Sequence, residues 1–241
     1  MSNHESRISK QTNHGFFVTG TDTGVGKTLI ACALLHALAA RGMRVVGMKP
    51  VAAGARRHGD FLVNDDVTAL KAASNVNAPD ELVNPYCFEA PIAPHIAAAN
   101  TGVSIDRNRL REAYAALAAK AQCVIVEGAG GILVPLGVDF DTAELAADLG
   151  LPVILVVGMR LGCLNHALLT AAAIHRVGLP IACWVANQLD PHMLCIAENV
   201  RTLRERLRAP LLAHVSYAQN IDARRIASEL EIDTLYSTRA H

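Results

Sequence analysis

The chain is built from short, uninterrupted apolar runs separated by longer stretches in which apolar residues recur at helical spacing. Six runs stand out: Gly15–Thr19, Val45–Lys49, Cys123–Glu127, Pro152–Gly158, Ile181–Ala186 and Leu211–Val215. They are apolar at consecutive positions rather than alternate ones, the pattern of parallel strands covered on both faces. The intervening spacing predicts helices over Lys27–Ala40, Asp66–Ala73, Arg107–Ala121, Asn165–Val177, Met193–Leu207 and Ala223–Leu230. Gly42 and Gly178 sit where helix-ending glycines belong. Strand and helix alternate throughout, which predicts an α/β fold: a single-domain, mostly parallel sheet with helices on both faces. The domain is expected over residues 15–241, preceded by a loose polar tail at 1–14, with no internal repeat and no second domain. Ligands of such sheets bind beyond the carboxyl ends of the strands, so the residues following each run are the candidates for chemistry.

Composition narrows the class. A length of 241 residues suits one α/β domain, and 51% hydrophobic content can bury both faces of a sheet. Mean hydropathy is +0.26. A net charge of zero gives no reason to expect a nucleic-acid partner. No apolar run reaches membrane-spanning length, and the polar first fourteen residues lack the apolar core of a signal peptide, so a cytoplasmic protein is expected. The six cysteines show no close-spaced metal pattern and read as buried, reduced thiols.

One segment defines the chemistry. After the first apolar run comes Gly20-Thr-Asp-Thr-Gly-Val-Gly-Lys27-Thr28, and a helical pattern opens directly behind it. Strand, glycine-rich turn, Gly-Lys-Thr and helix make the phosphate-binding loop (P-loop) of nucleoside triphosphatases. Small residues let successive N–H groups converge, and the helix start adds partial positive charge. Gly24, Val25, Gly26, Lys27, Thr28 and Leu29 form the candidate nucleotide-binding stretch, with Lys27 for the phosphates and the Thr28 hydroxyl for Mg²⁺. The loop is a variant, because Thr21 occupies the usual place of its first glycine.

The other strand ends carry Lys49-Pro-Val-Ala-Ala53-Gly54, Glu127-Gly128-Ala129-Gly130-Gly131, Arg160 to His166, and Asn187-Gln188. Glu127 closes an apolar strand, where nucleotide enzymes place a metal-orienting carboxylate. Asn187-Gln188-Leu189-Asp190 also has the Asn-x-x-Asp spacing by which GTPases read guanine, with Gln188 in place of the usual lysine. Gly162, Cys163, Leu164 and Asn165 open a helix and offer free N–H groups to an anion; Cys163 there could alternatively be an activated nucleophile, but no base stands beside it in the sequence.

With these residues in place the chain resembles the dethiobiotin synthetase family. The matching stretches are Phe17-Val-Thr-Gly-Thr-Asp-Thr with Val25-Gly-Lys-Thr, Lys49-Pro-Val-Ala, Val83-Asn-Pro-Tyr, Ala93-Pro-His-Ile, Val126-Glu-Gly-Ala-Gly-Gly, Leu151-Pro-Val-Ile-Leu-Val-Val-Gly, Leu161-Gly-Cys, Asn165-His-Ala and Trp184-Val-Ala-Asn, in family order over residues 15–220. The resemblance implies ATP- and Mg²⁺-dependent carboxylation of 7,8-diaminopelargonic acid with CO₂ (bicarbonate), closing a cyclic urea, in a homodimer with shared active sites. It implies Lys27 and Lys49 as the catalytic cations, and Thr28, Asp66 and Glu127 as the groups around Mg²⁺. Gly128, Ala129 and Gly130 would join the nucleotide site, Asn187 and Gln188 would face the adenine, and Ser216, Tyr217 and Ala218 would line the base pocket. Thr23, Lys49 and Ala53 would face the substrate, whose carboxylate the Gly162–Asn165 turn of the neighbouring subunit would hold. The chain departs from the usual family residues at Gly24 (often Glu), Ala53 (Ser) and Ser216 (Pro). The alternative is a variant-loop switch ATPase of the partitioning or septum-positioning type; those carry a second lysine early in the loop, where this chain has Asp22.

Overall fold

The computed structural model describes residues 14–237, so the expected tail lies outside the described residues except for His14, which begins the first strand. The strands are β1 (His14–Gly20), β2 (Val45–Met48), β3 (Val51–Ala53), β4 (Arg56–His58), β5 (Phe61–Val63), β6 (Tyr86–Phe88), β7 (Cys123–Glu127), β8 (Val153–Met159), β9 (Ile181–Gln188) and β10 (Leu211–Val215). The helices are α1 (Lys27–Ala40), α2 (Asp65–Ala73), α3 (Asp80–Val83), α4 (Pro94–Asn100), α5 (Arg107–Ala118), α6 (Thr142–Leu149), α7 (Cys163–Arg176), α8 (Ile196–Leu207), α9 (Ala223–Glu229) and α10 (Thr234–Ser237). Six strands form one parallel sheet in the order β10-β9-β8-β1-β7-β2.

The continuous apolar runs supply two cores at once. Neighbouring side chains on a strand point to opposite faces. Phe16 and Val18 therefore pack with Ile30, Leu34 and Val185 on the α1 side, while Phe17 packs with Val126, Leu155 and Trp184 on the other. Helix α1 is apolar around most of its circumference, and nine of its fourteen residues are buried. Gly42 and Gly178 take left-handed conformations just past α1 and α7, as expected of helix-ending glycines.

Several boundaries differ from the expectation. Helix α7 starts at Cys163, two residues early, because Gly162 adopts φ 95 and turns the chain directly into the helix. Helix α8 starts at Ile196 rather than Met193, since Cys195 is left-handed with φ 53 and interrupts the pattern. Strand β9 runs on through Asn187 and Gln188, which pair in register with Gly158 and Met159. Helix α6 is absent from the expectation although Asp141 and Glu144 form a complete capping box at its start. The β3/β6 pair, the β4/β5 hairpin and helices α3 and α4 are also additional. These elements have three to seven residues, too short to display a period.

Candidate functional site

The parallel sheet brings the carboxyl ends of β1, β2, β7, β8 and β9 to one rim, and the loop between β1 and α1 curls over its centre. Gly24 and Gly26 have φ 74 and 92, in the left-handed region that favours glycine. At Gly26 a Cβ would lie 2.4 Å from Asn187 Nδ2. That same amide donates to the Val25 carbonyl at 2.8 Å, so the end of β9 braces the loop from behind. At Gly24 a Cβ would meet nothing within 4 Å. The first helical hydrogen bond runs from Ile30 N to Gly26 O at 3.1 Å. The N–H groups of Lys27, Thr28 and Leu29 precede it and have no partner within the helix. The Lys27 ammonium donates to the Asp22 carbonyl at 2.9 Å. Burial, reinforced by repulsion from Lys49, pushes the Lys27 pKa down from 10.5 to about 8.

Beside the loop sits a compact charged cluster. Lys49 follows β2 and donates to Glu127 Oε1 at 2.5 Å and to Asp66 Oδ2 at 2.8 Å. Thr28 Oγ1 lies 2.8 Å from Asp66 Oδ1 and 2.9 Å from Glu127 Oε1. Lys49 is 5% exposed and Glu127 1%. Burial disfavours the Lys49 ammonium, but Glu127 and Asp66 outweigh it and hold its pKa above the ordinary value. Burial would raise the Asp66 carboxyl; Lys49, Thr28 and Lys27 together bring it below the usual value. Glu127 Oε2 is buried without a protein partner. One hydroxyl and two carboxylates, all hard oxygen donors with an unused oxygen among them, suit Mg²⁺. Among the described residues no group of three His, Cys, Asp or Glu side chains is placed to hold a metal ion.

Local structure accounts for the placement. Asn64 caps α2 by accepting from Asp66 N and Val67 N, which turns Asp66 inward, and its amide reaches the Ala53 carbonyl at 3.3 Å. The adjacent Asp65 points outward to Arg56, which separates the two acids of the pair. Asn84 donates to the carbonyls of Lys49 and Tyr86, and Lys49 N donates to Val83 O at 2.8 Å.

A cleft of about 450 Å³ opens from this cluster. Thr23, Lys49, Ala53, Asp66, Ala129 and Gly130 line it together with Pro91 to Pro94 and Val134. Gly128 packs beneath it, where a Cβ would meet the Phe17 ring at 3.0 Å. On the far side of the loop, Gln188 Oε1 accepts from Tyr217 N at 3.4 Å, and Ser216, Tyr217 and Ala218 are exposed. The Gly162–Asn165 turn is not part of the cleft wall, although Arg160 at its head pairs with Asp22 at 2.6 Å. Burial raises the Cys163 thiol pKa, the opposite of what an activated nucleophile needs. Asp190 Oδ1 is taken up by His192 N at 2.8 Å. Sequence reasoning gave no role to Asn64, Asn84 or the Pro91–Pro94 wall, and named Arg160 only as the start of a strand-end segment. Of these, Asn64 before an acid pair at a helix start carried a readable capping pattern.

A family model described as an AAA domain matches residues 14–225. The chain is 56% identical over 218 residues to the ATP-dependent dethiobiotin synthetase BioD of Nitrosospira multiformis, covering 90% of this chain and 95% of that protein. It is 52% identical to the protein of the same name from Aromatoleum aromaticum, over 90% of this chain and 96% of that one. Among solved structures, the septum site-determining protein MinD complexed with Mg-ADP from Pyrococcus horikoshii has a TM-score of 0.56 at 15% identity, covering 94% of this chain and 96% of that one. A ParA family ATPase from Chlorobium tepidum gives 0.54 at 13%, over 94% and 97% of the two chains. At those identities the two structures share the fold alone.

The buried, weakly acidic Cys163 thiol yields one expectation. Cys163→Ala should keep turnover within roughly threefold, because no thiolate chemistry is available there. A steady-state assay showing collapse by several orders of magnitude would identify it as a nucleophile.

Proposed function

This chain belongs to the dethiobiotin synthetase family, and on that footing we propose that it uses ATP and Mg²⁺ to carboxylate 7,8-diaminopelargonic acid with CO₂ and close the ring to dethiobiotin, releasing ADP and phosphate. The observation that carries the reading is the Lys49 ammonium bracketed by Asp66 and Glu127 beside Thr28 and the phosphate loop. Every species in this reaction carries concentrated negative charge: a carbamate, a transferring phosphoryl group, a mixed anhydride and departing phosphate. Fixed cations are the natural catalysts for such species.

In this reading Gly24 to Leu29 cradle the phosphates through backbone N–H groups. Lys27 leaves the Asp22 carbonyl for the β- and γ-phosphates. Thr28, Asp66 and Glu127 would hold Mg²⁺, which when bound neutralises charge on the phosphate oxygens. The diamine lies in the cleft along Thr23 and Ala53. Lys49, kept protonated by its two carboxylates, stabilises the carbamate formed at one amine and the phosphoryl group it receives. The second amine then attacks the activated carbonyl and expels phosphate. Gly128 to Gly130 support the nucleotide, while Asn187 and Gln188 with Ser216 to Ala218 form the base side. Support for the substrate-tail assignment comes from the Leu164 and Asn165 N–H groups in the first turn of α7, which have no partner within the helix and lie outside this chain's own cleft; the Cys163 N–H is already taken by the Arg160 carbonyl. The reading therefore includes a homodimer whose sites each take Gly162 to Asn165 from the partner, in a cytoplasmic enzyme. Asp22, where switch ATPases carry their second lysine, is committed to Arg160.

The direct test is product formation. Purified protein should release ADP and form dethiobiotin only when diaminopelargonic acid, bicarbonate and Mg²⁺ are all present. ADP release indifferent to the diamine and bicarbonate would overturn the reading. Lys49→Ala should reduce turnover by at least about a hundredfold and weaken diamine binding while nucleotide binding stays close to normal, as calorimetric titration would show. Equal loss of both ligands would make Lys49 a second phosphate clamp. The shared site is tested by mixing Lys49→Ala with a Cys163→Glu, Leu164→Glu variant, whose acids repel the substrate carboxylate. Subunit exchange should restore part of the activity, since one site of each mixed dimer carries neither defect. No recovery after demonstrated exchange would mean that each site lies within one chain.

A further inference from the structure

Asp22 takes part in three hydrogen bonds that face different parts of the site. Its backbone carbonyl accepts the Lys27 ammonium at 2.9 Å. Its carboxylate accepts Thr23 N at 2.7 Å through Oδ1 and Arg160 Nη2 at 2.6 Å through Oδ2. Arg160 heads the β8–α7 turn: its own carbonyl accepts Cys163 N at 3.0 Å, which closes a turn that contains Gly162 in the left-handed region at φ 95. Leu161 at the apex is 97% exposed, so packing does little to hold the turn. A second tie runs nearby, from Gly158 N to Thr21 Oγ1 at 3.2 Å. The side chains of Asp22 and Arg160 are 48% and 44% exposed, and a surface pair so placed contributes little to overall stability. Its position between two ligand-binding segments is the more informative property.

We propose that the Asp22–Arg160 ion pair is a positioning link, through which nucleotide on the phosphate loop orders the turn that binds the substrate carboxylate. This rests on the reading of Gly162–Asn165 as that carboxylate site. The physical step is a redistribution of charge. With Lys27 at the Asp22 carbonyl, two cations share the field of one aspartate. When Lys27 moves to the phosphates, Arg160 holds the Asp22 carboxylate with less competition, and the turn is fixed more firmly against the loop. In a homodimer that exchanges this turn, the loop belongs to one site and the turn to the other, so nucleotide in one site would favour substrate in its neighbour. Both residues act through others and touch no reacting atom.

Calorimetry of the full chain gives the test. Diaminopelargonic acid is titrated with and without a non-hydrolysable ATP analogue and Mg²⁺. In the native chain the analogue should tighten diamine binding by about fivefold, and the diamine should tighten analogue binding by the same factor. Arg160→Gln should bring that factor close to one, and Arg160→Lys should restore most of it. Asp22→Asn, which keeps the size of the side chain, provides a second removal of the pair should Arg160→Gln fail to fold. A coupling factor unchanged in the variants, or absent from the native chain, would overturn the link. Dethiobiotin formation by the same native preparation separates the two failures. Product with unaltered coupling defeats the link alone, whereas neither product nor diamine binding defeats the reaction reading and the link with it.

Discussion

The whole rim depends on keeping an ammonium and a carboxylate charged where water hardly reaches. Removing either ion from water costs several kcal/mol in a protein interior, and their attraction offsets this only when geometry is tight and the remaining atoms find partners. Lys49 and Glu127 meet that condition through a third party: Asp66 shares the ammonium, and Thr28 touches both carboxylates. The balance leaves one more negative group than positive within the cluster itself, with Lys27 the nearest further cation. A site biased in this way favours an added metal ion and holds Lys49 protonated.

Backbone structure maintains that arrangement at small distances. Glu127 is the last residue of a strand paired in register with β1 and β2, and Lys49 follows the neighbouring strand, so the parallel sheet sets their separation. Asp66 comes from outside the sheet and needs its own device, the Asn64 cap, whose amide also grips the Ala53 carbonyl. One asparagine therefore sets both the third member of the cluster and an edge of the cleft.

Legibility in the sequence followed the strength of local patterns. The six sheet strands were readable because burial on both faces leaves them almost continuously apolar, with exposed His214 in β10 an exception. The phosphate loop was readable because its glycines have few other uses. Lys49, Glu127 and Asp66 could be nominated from strand ends and family resemblance, but their mutual contacts depend on a strand order, β1 between β8 and β7, that no local pattern encodes. The Asp22–Arg160 pair spans 138 positions and uses two residues that look like ordinary surface charges. Helix starts at Cys163 and Ile196 were missed by two or three residues because left-handed residues, Gly162 and Cys195, set them rather than apolar periodicity.

Asn187 occupies the volume that any side chain at position 26 would need, and its amide is hydrogen-bonded to the loop backbone. The end of β9 and the phosphate loop are thus a single mechanical part. A substitution at position 187 would therefore also loosen the loop to which the proposed reading assigns the phosphates. If Ser216–Ala218 line the base as proposed, a change of nucleotide preference is more accessible from that exposed segment, whose tie to β9 is the Tyr217 N–H on Gln188 rather than a brace on the loop.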